Sequence, residues 1–331
     1  MYIKTFNQIL APADGRQRGL APGILFAIAV TFAVFCSPAV NATDNTLPVC
    51  LDSDNAPFSF KYGDRTGGTD LQIAGLLAQR LNRTLDVIWF EIEDDDEVVR
   101  SRQVNALLSA GICDLVPGYP FIASELAQPA NADSVLPDLP AALRSQYPRG
   151  SRFEYHQPTL SQPYFSVRWG YVSRKDNTPA ALQSLATAAG ISTATVVNSM
   201  PASYLLRRFG KQSFTFNHHF HNAAQALRAL ADGETTLALV ERHHFDRYMS
   251  QAKTDATQLH WTGLELDLQI SFIMLINSDS DSEAMRAALA GLLSDGSVAA
   301  AFDSNKVHHY RGAGKSPLTT ADLLKQLDGR G

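Results

Sequence analysis

Basic residues never cluster in this sequence. Its 28 lysines and arginines are scattered among 33 acidic residues for a net charge of -5, so a nucleic-acid partner is not expected. Catalytic signatures are also missing. No GxSxG, P-loop or GxGxxG occurs, and neither cysteine beyond the N-terminal segment has a nucleophile's surroundings, so enzymatic activity is not expected. No cofactor is implied. Internal repeats and low-complexity tracts are lacking, and cysteine is sparse, with 3 in 331 residues.

The N-terminus accounts for one of those cysteines. Lys4, Arg16 and Arg18 precede an apolar run from Ile24 to Phe35, and Val40-Asn41-Ala42 offers small residues for a signal peptidase. Residues 1-42 therefore read as a secretory signal cleaved near Ala42. A retained membrane anchor is the other reading, disfavoured because the run is short for a span of about 20 residues. Phe35 before Cys36 makes a poor lipoprotein site. With the signal removed, no stable membrane insertion is expected. Cys50 and Cys113 then remain in an oxidising compartment, on the first and third predicted strands. Neighbouring strands would let them form a disulfide; two buried free thiols are the alternative.

The exported part, rich enough in apolar residues to bury a large core, reads as alternating strands and helices. Val49–Asp52 is a short buried strand, followed by a polar turn and by an amphipathic helix that runs to Leu81. Leu85–Phe90 is a second strand. The acid run Glu91, Glu93, Asp94, Asp95, Asp96 and Glu97 lacks EF-hand spacing and reads as a solvated helix start. A helix over Val98–Ala110, capped by Gly111, leads to a third strand over Ile112–Val116. Ala127–His156 carries several prolines and little periodicity, and reads as an irregular surface excursion with a short helix near Ala141–Ser145. Beyond it, Tyr164–Ser173 is a long strand and a second α/β lobe follows. Its elements are helices near Ala180–Ala189, Ala202–Phe209 and Asn222–Ala231 and strands at Thr195–Asn198, Leu237–Val240 and Leu268–Ile276. Helices over Glu283–Leu293, Ser297–Phe302 and Thr320–Leu327 close the chain.

Several short signatures occur in a telling order: Asn55-Ala56-Pro57-Phe58-Ser59-Phe60, Gly68-Thr69-Asp70-Leu71-Gln72-Ile73-Ala74, Ala106-Leu107 with Gly111-Ile112-Cys113-Asp114, Gln162-Pro163-Tyr164-Phe165, and Ala226-Leu227 with Asp232-Gly233. Together they resemble the periplasmic solute-binding proteins of ABC importers, in the family 3 class typified by polar amino-acid receptors. The resemblance implies a two-lobed α/β periplasmic-binding-protein fold of type II in the periplasm. Lobe I would take residues 43-168 and 270-331 and lobe II residues 169-269, hinged on two crossover strands near Arg168–Val172 and Gln269–Ile273. A small polar solute and an ABC permease would be the partners. The segment Val49-Cys50-Leu51-Asp52 with Asn55-x-Pro57-Phe58 is also similar to a branch encoded beside quinoprotein alcohol dehydrogenases. That similarity implies an accessory role to a periplasmic dehydrogenase as the alternative.

Carried onto this chain, the resemblance places a ligand between the lobes, lined by Asp52, Asp54, Asn55, Phe58, Gly118, Tyr119, Ser199 and Glu241. All fall on strand-to-helix loops. Phe58 and Tyr119 read either as stacking platforms or as core wall residues. Glu241 stands where amino-acid receptors place an aspartate on the ligand's ammonium, or else forms a surface pair with Arg242 or a neighbour. The stretch from Tyr119 to Leu126 lacks the arginine that clamps an α-carboxylate in that family, which argues against an ordinary α-amino acid. His218, His219, His221, His243, His244, His308 and His309 lack the HExxH or CxxC company of metal sites and read as solvated loop histidines, with no metal expected.

Overall fold

Val49, Cys50 and Leu51 are buried one after another because their strand has sheet neighbours on both edges and cover on both faces. The computed structural model describes residues 45-92, 100-127, 133-148, 151-179, 182, 189-251 and 258-327. The expected signal, Cys36, the acid run from Glu93 to Glu97 and nearly all of the helix expected at Ala180–Ala189 lie outside the described residues.

The first half opens with β1 (Thr46–Asp52), a small sheet of β2 (Asp54–Asn55), β3 (Ser59–Tyr62) and β4 (Arg65–Gly67), then α1 (Thr69–Arg80) and β5 (Thr84–Phe90). It continues through α2 (Arg100–Ser109), β6 (Leu115–Pro120), α3 (Ala123–Leu126), β7 (Asp133–Val135), α4 (Ala141–Arg144), β8 (Arg152–Glu154) and β9 (Thr159–Leu160). After β10 (Phe165–Arg174) come β11 (Thr193–Val196), α5 (Met200–Phe209), β12 (Asn217–Phe220), α6 (Ala223–Ala231), β13 (Leu237–Glu241) and α7 (Arg242–Gln251). The chain returns on β14 (Leu259–Ile276) and closes with α8 (Ser282–Ser294), α9 (Ser297–Ser304) and α10 (Thr320–Leu327).

The principal strands form one sheet in the order β12-β11-β13-β10-β14-β6-β1-β5. Its two ends are parallel: β1 with β5 and β6, and β11 with β12 and β13. In the middle β10 and β14 run antiparallel and serve both ends. The 18 residues of β14 extend for about 60 Å at a strand's rise. Partway along, the pairing slips twice, between Arg168 and Gly170 and between Gly170 and Val172. Gly170 permits this, since a Cβ there would stand 2.3 Å from the Trp261 ring and 2.9 Å from the Leu264 carbonyl oxygen.

Helix α1 buries Ile73, Ala74, Leu77 and Ala78, a stripe at the helical period, against β1. The excursion over Ala127–His156 differs from its sequence reading. Strands β7 and β8 pair antiparallel, and Leu136 and Leu139 are buried in the cluster that holds Phe90, Leu107, Cys50 and Cys113. Three-residue strands between prolines are too short to display an alternation. Other elements depart from their sequence readings: β6 runs over Leu115–Pro120 and not Ile112–Val116, so Gly118 and Tyr119 lie in the strand and not on a loop, and β12 was not foreseen. Strand β14 begins nine residues before Leu268, because Gly263, Glu265 and Asp267 interrupt its apolar pattern, and α7 was not foreseen from its polar sequence.

Cys50 and Cys113 form a disulfide with a Cα–Cα distance of 5.7 Å, both fully buried, so the free-thiol reading is set aside. Closing 63 residues of chain restricts the unfolded ensemble by about 4 kcal/mol on the loop-entropy model. Replacing both by alanine should lower the urea unfolding free energy by about that amount. Equal stabilities of parent and double variant would refute the assignment.

Candidate functional site

Helix α7 begins immediately after the last residue of β13, and this abrupt junction turns its polar side chains toward the β2–β4 hairpin. Between them lies a cleft of about 470 Å³. One wall has Asp54 and Tyr62 from the hairpin; the other has His244, Arg247 and Tyr248 from α7, with the start of α6 beside them. Arg247 spans the gap. Its guanidinium donates to the Ala56 carbonyl oxygen at 3.0 Å and to the Tyr62 hydroxyl at 3.5 Å, and that hydroxyl donates to the Asp54 carboxylate at 2.9 Å. A cation, a phenol and a carboxylate thus line one polar relay, suited to a ligand carrying charge or several hydrogen-bonding groups.

Behind this wall, Glu241 ends β13 and accepts a hydrogen bond from His243 Nε2 at 2.9 Å, while His244 Nε2 stands 3.8 Å from the same oxygen. Burial alone would raise the Glu241 carboxyl. The charge and hydrogen bond of His243, the charge of His244 and the Trp169 indole outweigh it and bring the group down to about 2. Burial lowers His244, the charges of His243 and Arg247 add to this against the pull of Glu241, and the group falls to about 4. At neutral pH the junction therefore carries an ionised Glu241 beside an uncharged His244.

Several solved structures share this fold at low sequence identity. A polar amino acid ABC uptake transporter substrate-binding protein from Streptococcus thermophilus aligns over 87% of this chain and 92% of its own, with 13% identity and a TM-score of 0.54. Substrate-binding domain 2 of Lactococcus lactis GlnP, in its open conformation, aligns over 80% and 96%, with 14% identity and a TM-score of 0.53. An ancestral cationic amino acid solute-binding protein aligns over 79% and 96%, with 16% identity and a TM-score of 0.53. The fold is that of the two-lobed periplasmic binding proteins. No protein-family model matches the chain, and no curated protein matches it in sequence. The branch associated with quinoprotein dehydrogenases finds no support in these comparisons.

Within this periplasmic-binding-protein fold the candidate residues separate into groups. Asp54 lines the cleft, and Glu241 borders it through His244. Glu241 pairs with His243 rather than with Arg242, whose partner is Asp246 at 2.8 Å. Asp52 closes the turn after β1, its carboxylate accepting from the Asp54 N–H at 3.0 Å. Asn55 and Gly118 meet at Asp70: a Cβ on Gly118 would lie 2.9 Å from Asp70 Oδ2 and 3.6 Å from Asn55 Nδ2. Ser199 spends its hydroxyl on backbone, donating to the Val196 carbonyl oxygen and accepting from the Ala202 N–H at the start of α5. Phe58 and Tyr119 take the core alternative. Phe58 packs among Phe165, Phe302 and His243, and Tyr119, only 2% exposed, donates to the Glu125 carbonyl oxygen.

The solvated-loop reading of the histidines needs correction at two places: His218 and His219, although exposed, lie on strand β12 and not in a loop. His243 and His244 lie in the first turn of α7, and His243 is 7% exposed with its ring 4.7 Å from that of Phe58. Arg247, Tyr62 and Tyr248 were absent from the sequence reading. Two signals could have found the helix of Arg247 and Tyr248: the i, i+4 pair Arg242 and Asp246, and the apolar spacing of Phe245, Tyr248 and Met249.

The head of α1 is tied to β6 by Tyr164, which is fully buried. Its hydroxyl donates to Asp70 Oδ1 at 2.5 Å and accepts from the Gly118 N–H at 2.8 Å. Burial and the Asp70 carboxylate push this phenol far above its ordinary range, so it stays a donor. Tyr164→Phe should destabilise the protein by about 2 kcal/mol, the cost of stranding buried partners. Urea denaturation measures this, and an unchanged midpoint would remove the hydroxyl from the frame of the site.

Proposed function

We propose that this chain is a solute-binding protein that captures a small polar ligand between its two lobes. Transfer to the permease of an ABC importer would follow. The observation that carries the reading is the polar cleft bridged by Arg247, set between the halves of a periplasmic-binding-protein fold. The guanidinium has the donor geometry for a carboxylate or another oxyanion, and Asp54 offers an acceptor on the facing wall. The arginine missing from the stretch after β6 thus has a counterpart of different origin, on lobe II.

In this reading lobe I comprises residues 43-168 and 270-331, and lobe II residues 169-269. The hinges are the segments Arg168–Val172 and Gln269–Ile273, and the slipped pairing around Gly170 supports them. A ligand would favour the closed arrangement only through its higher affinity for it.

A thermal-shift screen of the protein against small anions, amines, amino acids and sugars tests the proposal. At least one class should raise Tm by mass action, and Arg247→Ala should weaken that ligand about tenfold or more while leaving the unliganded Tm close to the parent's. A screen in which nothing moves Tm would overturn it.

A further inference from the structure

We infer that Glu241, His243 and His244 form a binding site for a divalent transition-metal ion, coordinated by one carboxylate oxygen and two imidazole nitrogens. Their ligand atoms all lie within 4.8 Å of one another, and no other such cluster occurs among the described residues. The convergence follows from the chain path. Glu241 is the last residue of β13 and Arg242 the first of α7, so the side chains two and three positions later fold back over the strand end.

Hydrogen bonding uses only part of this arrangement. His243 Nε2 meets Glu241 Oε2 at 2.9 Å, a normal bond, but His244 Nε2 faces the same oxygen at 3.8 Å, beyond hydrogen-bond reach. Tetrahedral coordination at ordinary zinc bond lengths separates ligand atoms by about 3.4 Å, between these two distances. With all three pairs within 4.8 Å, side-chain rotation has to close no gap larger than about 1.4 Å to seat an ion. Mixed imidazole and carboxylate ligands suit zinc and its neighbours better than magnesium or calcium.

The surroundings supply the support such a site needs. Phe58 packs on the His243 ring and limits its rotation, and the Trp169 indole donates to Glu241. His244 lines the cleft with its side chain 38% exposed, so an ion has a path in and a fourth position for water. Arg247 is the opposing influence. Its charge acts on His244, although its guanidinium is engaged by Ala56 and Tyr62.

Titration calorimetry of EDTA-treated protein with Zn²⁺ alone tests the site. One ion per chain should bind, and His244→Gln and Glu241→Gln should each weaken it about tenfold or more, while the exposed His156→Gln leaves it unchanged. Circular dichroism establishes that each variant is folded. Co²⁺ added to the parent protein should develop the visible absorption of a four-coordinate site, a readout that needs no variant. No zinc uptake at submillimolar concentration, uptake indifferent to both substitutions in folded protein, or a cobalt spectrum identical to that of the aqueous ion would each overturn the inference. Solute binding in the cleft is a separate matter, because the calorimetry contains no solute.

Discussion

The antiparallel pairing of β10 with β14 is the constraint on which the rest of the structure depends. Each half of the sheet is parallel and could be completed by its own helices, but neither owns the two central strands. Those strands carry the chain from one half to the other and back, so a single ladder decides how the two walls of the cleft face each other. The ladder is imperfect where it crosses. Two slips around Gly170 interrupt the regular cross-strand pairing, and Trp261 closes over the glycine where any larger residue would force it away.

On the lobe I side, stiffness comes from buried connections that cross large distances in sequence. The disulfide ties β1 to the approach of β6, and Tyr164 ties Asp70 at the head of α1 to Gly118 within β6. Gly118 is needed there for two reasons. Its φ of +72° is a left-handed conformation, and the Asp70 carboxylate occupies the space a side chain would take. The loop from Asp52 to Phe58 therefore presents Asp54 from a frame that is almost wholly buried. On the lobe II side the site rests on one helix, and that helix owes its position to the burial of His243 and Phe245.

What could be read from the sequence follows this division. The strands and helices of the first half have strong periodicity and compact motifs, and β1, α1, β5 and the cysteine pair were all legible. The site was legible only in part. Asp54 and Glu241 were reached through a resemblance, yet Arg247 and Tyr62 meet across 185 residues, a contact that no local pattern encodes. Helix α7 is the central omission. Its face toward the cleft is polar, so the apolar stripe that usually identifies a helix is reduced to a few positions, and a helix that builds a binding wall gives up part of its own signature. Phe58 is a different case, since an aromatic in a ligand-like loop carries no mark that separates a stacking platform from a core residue, and here it is buried among other rings.

The contacts that face each other directly across the cleft are mostly polar. Across the cleft stand the bonds of Arg247 to Ala56 and Tyr62, the His308 N–H to the Asp246 carboxylate, and the ring contact of Phe58 with His243. At the crossing, Glu265 accepts from Arg168, Trp261 and Tyr310, but Arg168 is 40% exposed and such a pair contributes at most about 1 kcal/mol. Sheet ladders run through both walls, and the first also has the disulfide. A buried apolar core also joins the two ends of the sheet, since Leu47, Val49 and Ile73 belong to the same cluster as Tyr204, Leu205, Leu237 and Leu239, so the polar bonds across the cleft are only part of what relates its walls.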